Sequence, residues 1–231
     1  MKFIMRFTFT LLLLILFLPV LTFAQNEKKV AFGILLDNTG TLRTQFGNVQ
    51  ILGKAIAQNT SQRGFVSLFN FESSGDTQKP FAFVTAGSEW SQDKNTLEKY
   101  IDKMQVVGGQ TTLLDAIRSI AKAADSKANT EKLSEKIIVL VTDGEDRASE
   151  VTEKQLIKEL KESGVKVYAV GLIQELDSSR GFTSGSSQNK SKNFLKKITK
   201  ETGGNVIFPK LKKETKVEDL LTELFAESSK K

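Results

Sequence analysis

The sequence contains no cysteine and no histidine. Without cysteine there is neither a disulfide nor a thiol to carry a lipid anchor, so stability must come from an apolar core. Losing both residue types also removes the usual ligands of zinc and copper and leaves only hard oxygen donors for any metal. A strong charge of one sign is missing as well. Lys2 and Arg6 account for two of the 33 basic side chains, so past residue 24 there are 31 basic against 27 acidic residues, an excess of four. That excess is too small to argue for nucleic acid as a partner. Lysines alternate with glutamates, as in Glu153, Lys154, Lys158, Glu159, Lys161 and Glu162, which is how a solvated helix face reads. No internal repeat is visible. Hydrophobic residues at 39% and charged residues at 26% exclude a disordered chain and predict a packed core.

One long apolar run is present, and it stands at the start. Lys2 and Arg6 precede the almost wholly apolar residues 7–24, broken by Pro19 shortly before the small residues Thr22 and Ala24. This pattern predicts a secretory leader over residues 1–24, with export to a periplasm or to the cell exterior. An 18-residue apolar stretch also just suffices to cross a bilayer, so an uncleaved anchor is the alternative. Either way the remainder lies outside the cytoplasm. No further membrane span is expected, and a monomer is assumed. The remaining divisions are a linker at 25–29, a single domain at 30–226 and a polar tail at 227–231.

Within the domain, apolar runs alternate with amphipathic stretches. Residues 30–36 read as a strand buried on both faces. Leu42, Phe46, Val49, Leu52 and Ile56 recur at helical spacing. Further strands are expected at 65–71, 80–85, 137–141, 165–172 and 205–208, with a hairpin and one antiparallel edge strand around 80–85. Helices are expected through Leu97–Met104, Leu113–Ala124, Leu156–Leu160, Phe194–Ile198 and Val217–Phe225. The order predicts a doubly wound α/β fold, Rossmann-like, with a mainly parallel sheet and helices on both faces. Residues 177–190, rich in Ser, Gly and Asn, read as a loop at the carboxyl end of a parallel strand, on the rim where binding loops sit or as a plain surface insertion.

Function in open α/β sheets gathers at the carboxyl ends of the strands. Three loops there carry oxygen donors: Asp37-Asn38-Thr39-Gly40-Thr41 after the first strand, Gly108-Gly109-Gln110-Thr111-Thr112 with Asp115 beyond, and Thr142-Asp143-Gly144-Glu145-Asp146. Each loop alone could be explained by helix capping, because Thr39, Thr41, Thr111 and Asp115 all lie near helix starts. Together they favour a hard divalent cation, magnesium first, with manganese or calcium as alternatives.

In order and in strand context, Asp37, Thr39, Thr41, Thr111 and Asp143 resemble the metal-ion-dependent adhesion site of von Willebrand factor A-type domains. The resemblance spans residues 29–225 and includes Phe69-Asn70-Phe71, Thr142-Asp143-Gly144 and Thr202-Gly203-Gly204. It implies those five residues as metal ligands and a protein partner that offers Asp or Glu to the open coordination position. It also implies a final helix able to slide, although the apolar face of Leu220, Leu221, Leu224 and Phe225 equally suits core packing. Two departures stand out. Threonines replace both serines of the family's first loop, and either Thr111 or Thr112 could supply the second loop's hydroxyl, with the spacing to Asp115 favouring Thr111. Glu145 and Asp146 read as supporting residues.

Two other functions are compatible with parts of this pattern. Asp37-Asn38-Thr39-Gly40-Thr41 also resembles the phosphorylation loop of aspartyl-phosphate-forming phosphohydrolases, in which Asp37 would be the nucleophile. That reading leaves the Gly108–Thr112 loop without a role. The other alternative is a structural domain with a degenerate, empty site.

Overall fold

The computed structural model describes residues 30–84, 87–175, 185–212 and 215–226. The leader at 1–24, the linker at 25–29, the tail at 227–231 and positions 177–184 of the expected rim loop lie outside the described residues.

In chain order the elements are β1 (Val30–Leu36), a 3-10 turn (Gly40–Gln45), α1 (Phe46–Ser61), β2 (Gly64–Phe69), β3 (Glu72–Ser73), β4 (Phe81–Phe83), α2 (Lys94–Lys103), β5 (Gln110–Thr111), α3 (Leu113–Glu131), β6 (Glu135–Thr142), α4 (Glu153–Ser163), β7 (Val165–Gly171), a 3-10 turn (Ile173–Glu175), α5 (Gly185–Thr202), β8 (Val206–Ile207) and α6 (Val217–Leu224). The five strands β2-β1-β6-β7-β8, in that spatial order, form one parallel sheet. A smaller sheet, ordered β3-β4-β5, sits beside it.

Every residue of β1 is buried, because helices cover both faces of the sheet. Phe32, Ile34 and Leu36 pack with Val49, Leu52 and Ile56 of α1, Leu97 and Ile101 of α2, and Leu221 and Leu224 of α6. Leu35, with Ile138 and Leu140 of β6, faces the other way onto Ile117 and Ile120 of α3, Leu156 and Leu160 of α4, and Leu195 and Ile198 of α5. This two-sided burial is why the central strands read as continuous apolar runs rather than as alternating ones. Gly33 marks the closest approach of α3 to the sheet, since a Cβ there would lie 2.3 Å from Cγ2 of Ile120. Gly33→Ala should therefore destabilise the domain by about 1–3 kcal/mol through overpacking, as measured by urea unfolding, with the denaturant slope unchanged.

Two details differ from the sequence expectation. The antiparallel segment at 80–85 does not border the main sheet: β4 pairs antiparallel with β3 and parallel with β5. The free edge of β2 is lined instead by residues 88–91, through an antiparallel bridge between Val66 and Ser91 and a bond from the Ser88 amide to the Leu68 carbonyl. Ser and Glu in that stretch give no strand signal, because a covering ribbon needs backbone groups rather than apolar side chains. Positions 185–190, expected in a loop, form the first turns of α5. Polar residues cost a helix only tenths of a kcal/mol each, and the burial of Phe194, Leu195 and Ile198 further along outweighs that.

After β1 the chain moves to β2 on one side and later returns to β6 on the other. The carboxyl ends of β1 and β6 are therefore a topological switch point, where diverging loops leave a crevice.

Candidate metal centre

The pairing of Leu36 with Val141 carries β1 and β6 out of the sheet side by side, and the Asp37 amide closes the ladder on the Val141 carbonyl at 2.9 Å. Asp37 and Asp143 thus emerge from adjacent strand ends although 106 residues separate them in the chain. Both are buried, at 0% and 1% exposure. One Asp37 oxygen accepts from the Thr39 amide at 3.0 Å and the Thr39 hydroxyl at 2.7 Å. The other accepts from the Thr142 hydroxyl at 2.7 Å. The Thr39 and Thr41 hydroxyls lie 3.3 Å apart.

On Asp143, Oδ1 accepts from the Glu145 amide at 2.9 Å, whereas Oδ2 is buried with no hydrogen-bond partner. Gly144 makes the turn that aims this carboxylate, at φ +77°, a left-handed conformation that glycine adopts without a steric penalty. Its amide donates to Thr142 Oγ1 at 3.0 Å.

The second loop joins the other two through its backbone. The Thr111 carbonyl accepts from the Arg147 and Ala148 amides at 2.9 and 3.1 Å, and the Val107 amide donates to the Asn38 carbonyl at 2.9 Å. The Thr111 side chain is buried at 3% exposure. The Thr112 hydroxyl is turned away to donate to the Ala82 carbonyl at 2.7 Å. Of the two candidate threonines, Thr111 is therefore the one whose hydroxyl is not engaged by the small sheet.

Capping does not account for these hydroxyls. Thr39 and Thr112 occupy N-cap positions, yet neither makes a side-chain cap bond. The start of α3 is capped from another loop, by Asp146 Oδ1 accepting from the Leu114 amide at 3.1 Å. Asp115 serves the third loop in return, accepting from the Glu150 and Val151 amides at 2.8 and 3.0 Å. Glu145 is buried at 8% exposure and paired with Arg147.

Two residues essential to this arrangement carried no functional assignment in the sequence. Fully buried Asn38 accepts from the Phe71 amide at 2.7 Å and donates to the carbonyls of Gln105 at 2.6 Å and Phe71 at 3.1 Å, tying three segments together. Thr142 fixes Asp37, as described above. An amide or hydroxyl inside a ligand motif has no distinctive spacing of its own, so no sequence signal separates it from an ordinary loop residue.

Burial is the largest influence on both acids. It raises the pKa of Asp37 above the carboxylate range, against the opposing hydrogen bonds from Thr142 and Thr39. Burial first, and then the Asp37 charge, push Asp143 up to about 7, while the nearby Thr41 hydroxyl and the Glu145 amide pull the other way. Two carboxylates facing each other out of water, one with an unpartnered oxygen, form a site in want of positive charge. Among the described residues no group of three or more Asp or Glu side chains is placed to hold a metal ion. A cation here would therefore depend on hydroxyl oxygens as well as on Asp37 and Asp143, a donor set that fits a hard dication.

The strand order and the crevice at the switch point define a doubly wound α/β domain. The chain belongs to the von Willebrand factor type A domain family, whose model matches residues 33–223. Comparison with curated proteins gives no match. Among solved structures, an aerotolerance-related membrane protein from Bacteroides fragilis NCTC 9343 aligns at 18% identity and TM-score 0.57, over 86% of this chain and 98% of that one. The pilus adhesin SpaC from Lactobacillus rhamnosus GG, in an open conformation, aligns at 15% identity and TM-score 0.58, over 87% of this chain and 29% of the adhesin. A manganese-loaded TRAP protein from Plasmodium vivax aligns more loosely, at 16% identity and TM-score 0.45, over 75% of this chain and 74% of that one. At these identities the first two likenesses show the fold alone.

Proposed function

We propose that this chain is an exported, monomeric binding domain that engages an acidic side chain of a protein partner through a divalent cation, magnesium or alternatively manganese or calcium. Asp37, Thr39, Thr41, Thr111 and Asp143 would hold the ion. The observation that carries this reading is the unpartnered Asp143 Oδ2, buried beside the equally buried Asp37. A bound dication supplies a Lewis-acidic centre with an exchangeable position for the partner's carboxylate. Thr142 and the Thr39 amide hold Asp37 in one orientation, Gly144 and the Glu145 amide do the same for Asp143, and Asn38 keeps the loops together. The family consists generally of adhesion and interaction modules, and no catalytic group is assigned.

The aspartyl-phosphate reading is disfavoured by Asp37 itself. It is fully buried, which leaves no room for a phosphate group to reach it. Export rests on the composition of residues 1–24. Among the described residues no helix is long and apolar enough to cross a membrane.

Calorimetric titration of the protein with magnesium, manganese and calcium tests the proposal. Wild type should bind at least one of the three ions, and Asp143→Ala should lose at least about ten-fold in affinity, the scale of losing one charged ligand. A flat trace for all three ions with wild type would favour a structural domain with an empty site.

A further inference from the structure

Next to the candidate metal centre lies a cleft of about 210 Å³ between the small sheet, the first turns of α3 and the loop after β6. One wall is aromatic: Phe81 and Phe83 stand with ring centroids 5.6 Å apart. Phe81 is 38% exposed, one of two large hydrophobic residues so exposed among those described. Asp115 and Glu150 line the same cleft. No lysine or arginine lines the cleft, in a chain with 33 of them. The Glu150 and Val151 amides hold the Asp115 carboxylate in place, and among the described residues no ion pair engages Asp115 or Glu150.

Aromatic faces in one cleft with unpaired carboxylates suit a cation on an apolar stem, with the stem lying along the rings and the charged end meeting the acids. The volume is below that of pockets for drug-sized ligands and is suited to a single long side chain. The cleft lies beside the loop that carries Thr111. Thr112, which lines it, follows the candidate ligand Thr111 in the chain. Ala148, also in the lining, donates its amide to the Thr111 carbonyl at 3.1 Å.

We infer that this cleft receives an arginine or lysine side chain of the same protein partner whose acidic residue reaches the metal centre, an inference that rests on the function proposed above. The metal accepts any carboxylate that can reach it, whereas the cleft rewards only partners that place a basic residue nearby. Discrimination between acidic partners therefore falls to Phe81 and Glu150.

The probe is N-acetyl-arginine amide, titrated into isotope-labelled protein and followed by amide NMR, with N-acetyl-norleucine amide as a neutral stem of similar length. The arginine probe should shift the Ala116, Ala148 and Glu150 amides saturably, and the norleucine probe should not. Glu150→Gln and Phe81→Ala should each weaken the arginine response by about five-fold, the scale of a single exposed charge or cation–π contact. Neither residue belongs to the metal site, so magnesium binding should persist in both variants. Silence at those amides, an equal response to norleucine, or an undiminished response in Glu150→Gln would each overturn the inference. A magnesium titration of the same samples separates the two readings. Metal binding with a silent cleft defeats this inference alone, and a saturable cleft in a protein that binds no metal defeats the proposed function and the bridging role with it.

Discussion

Replacing Asp143 with asparagine is expected to stabilise the metal-free protein while weakening its response to divalent cations. The metal-free fold holds two buried acids against each other, and Asp143 is pushed up to about 7 from a usual 3.8 by burial and by Asp37. A raised folded-state pKa means that the folded form holds its proton more tightly than the unfolded one does. The associated stability is complete below about pH 4 and is lost as the pH rises through about 7, because the charged form is the one the fold disfavours. At pH 8 an uncharged amide avoids that penalty. Asp143→Asn should then unfold later than wild type without metal, by about 1–3 kcal/mol, or roughly 2–10 °C in Tm for a domain of this size.

With cation in excess that advantage should shrink. Wild type gains about 2.7 kcal/mol at one hundred times its Kd, and the variant, binding at least about ten-fold more weakly, gains about 1.4 kcal/mol or less. Because the cation displaces protons from the acids, its affinity for wild type should rise with pH up to about 7 and level off above it. Thermal melts of both proteins at pH 5 and pH 8, with and without magnesium, manganese and calcium, check all of this. An Asp143→Asn protein that shows the same cation-induced shift as wild type would remove Asp143 from the site.

The second large effect belongs to a residue that touches no ligand. Asn38→Ala removes three hydrogen bonds, to the Phe71 amide and to the Phe71 and Gln105 carbonyls. The Phe71 carbonyl keeps its bond from Asn70 Nδ2 at 3.0 Å, and the Phe71 amide and the Gln105 carbonyl lose their side-chain partner. Each unpaired buried group costs about 1–3 kcal/mol, so a total loss of about 2–5 kcal/mol is expected in chemical denaturation. Because Asn38 sits between Asp37 and Thr39, a variant that still folds should also bind the cation at least about ten-fold more weakly, since small displacements of a ligand set are costly. Asn38→Asp keeps the acceptor for the Phe71 amide but loses both donated bonds and adds a buried charge. It should be no more stable than Asn38→Ala. A loss under about 1 kcal/mol for Asn38→Ala would show that the loops are held by other contacts.

Much of the architecture was legible before any coordinates. The apolar run at 30–36 became β1 with the same bounds, and the spacing of Val49, Leu52 and Ile56 became the buried face of α1. These features are local, because a strand covered on both sides must be apolar throughout and a helix covered on one side must repeat near every 3.6 residues. Leu42 instead falls in a 3-10 turn ahead of α1, since its face of contact fits either geometry. The antiparallel ribbon at 88–91 was not legible, as it is made by backbone bonds that leave no mark on residue choice. The Ser- and Asn-rich positions 185–190 looked like a loop because their composition outweighed the apolar face further along α5.

The sequence by itself determined the alternation of elements, the oxygen-only chemistry of any metal site and the loops that could carry it, since these follow from residue type and local spacing. The tertiary structure alone decided that Asp37 and Asp143 share one dry crevice, that Thr142 and Asn38 hold it in shape, and that Thr112 turns away while Thr111 stays unengaged. It also decided that Phe81 and Glu150 line one cleft. The reason is physical: hydrogen bonding, desolvation and charge repulsion depend on distances between groups far apart in the chain, and only the crossover between β1 and β6 brings those groups within reach.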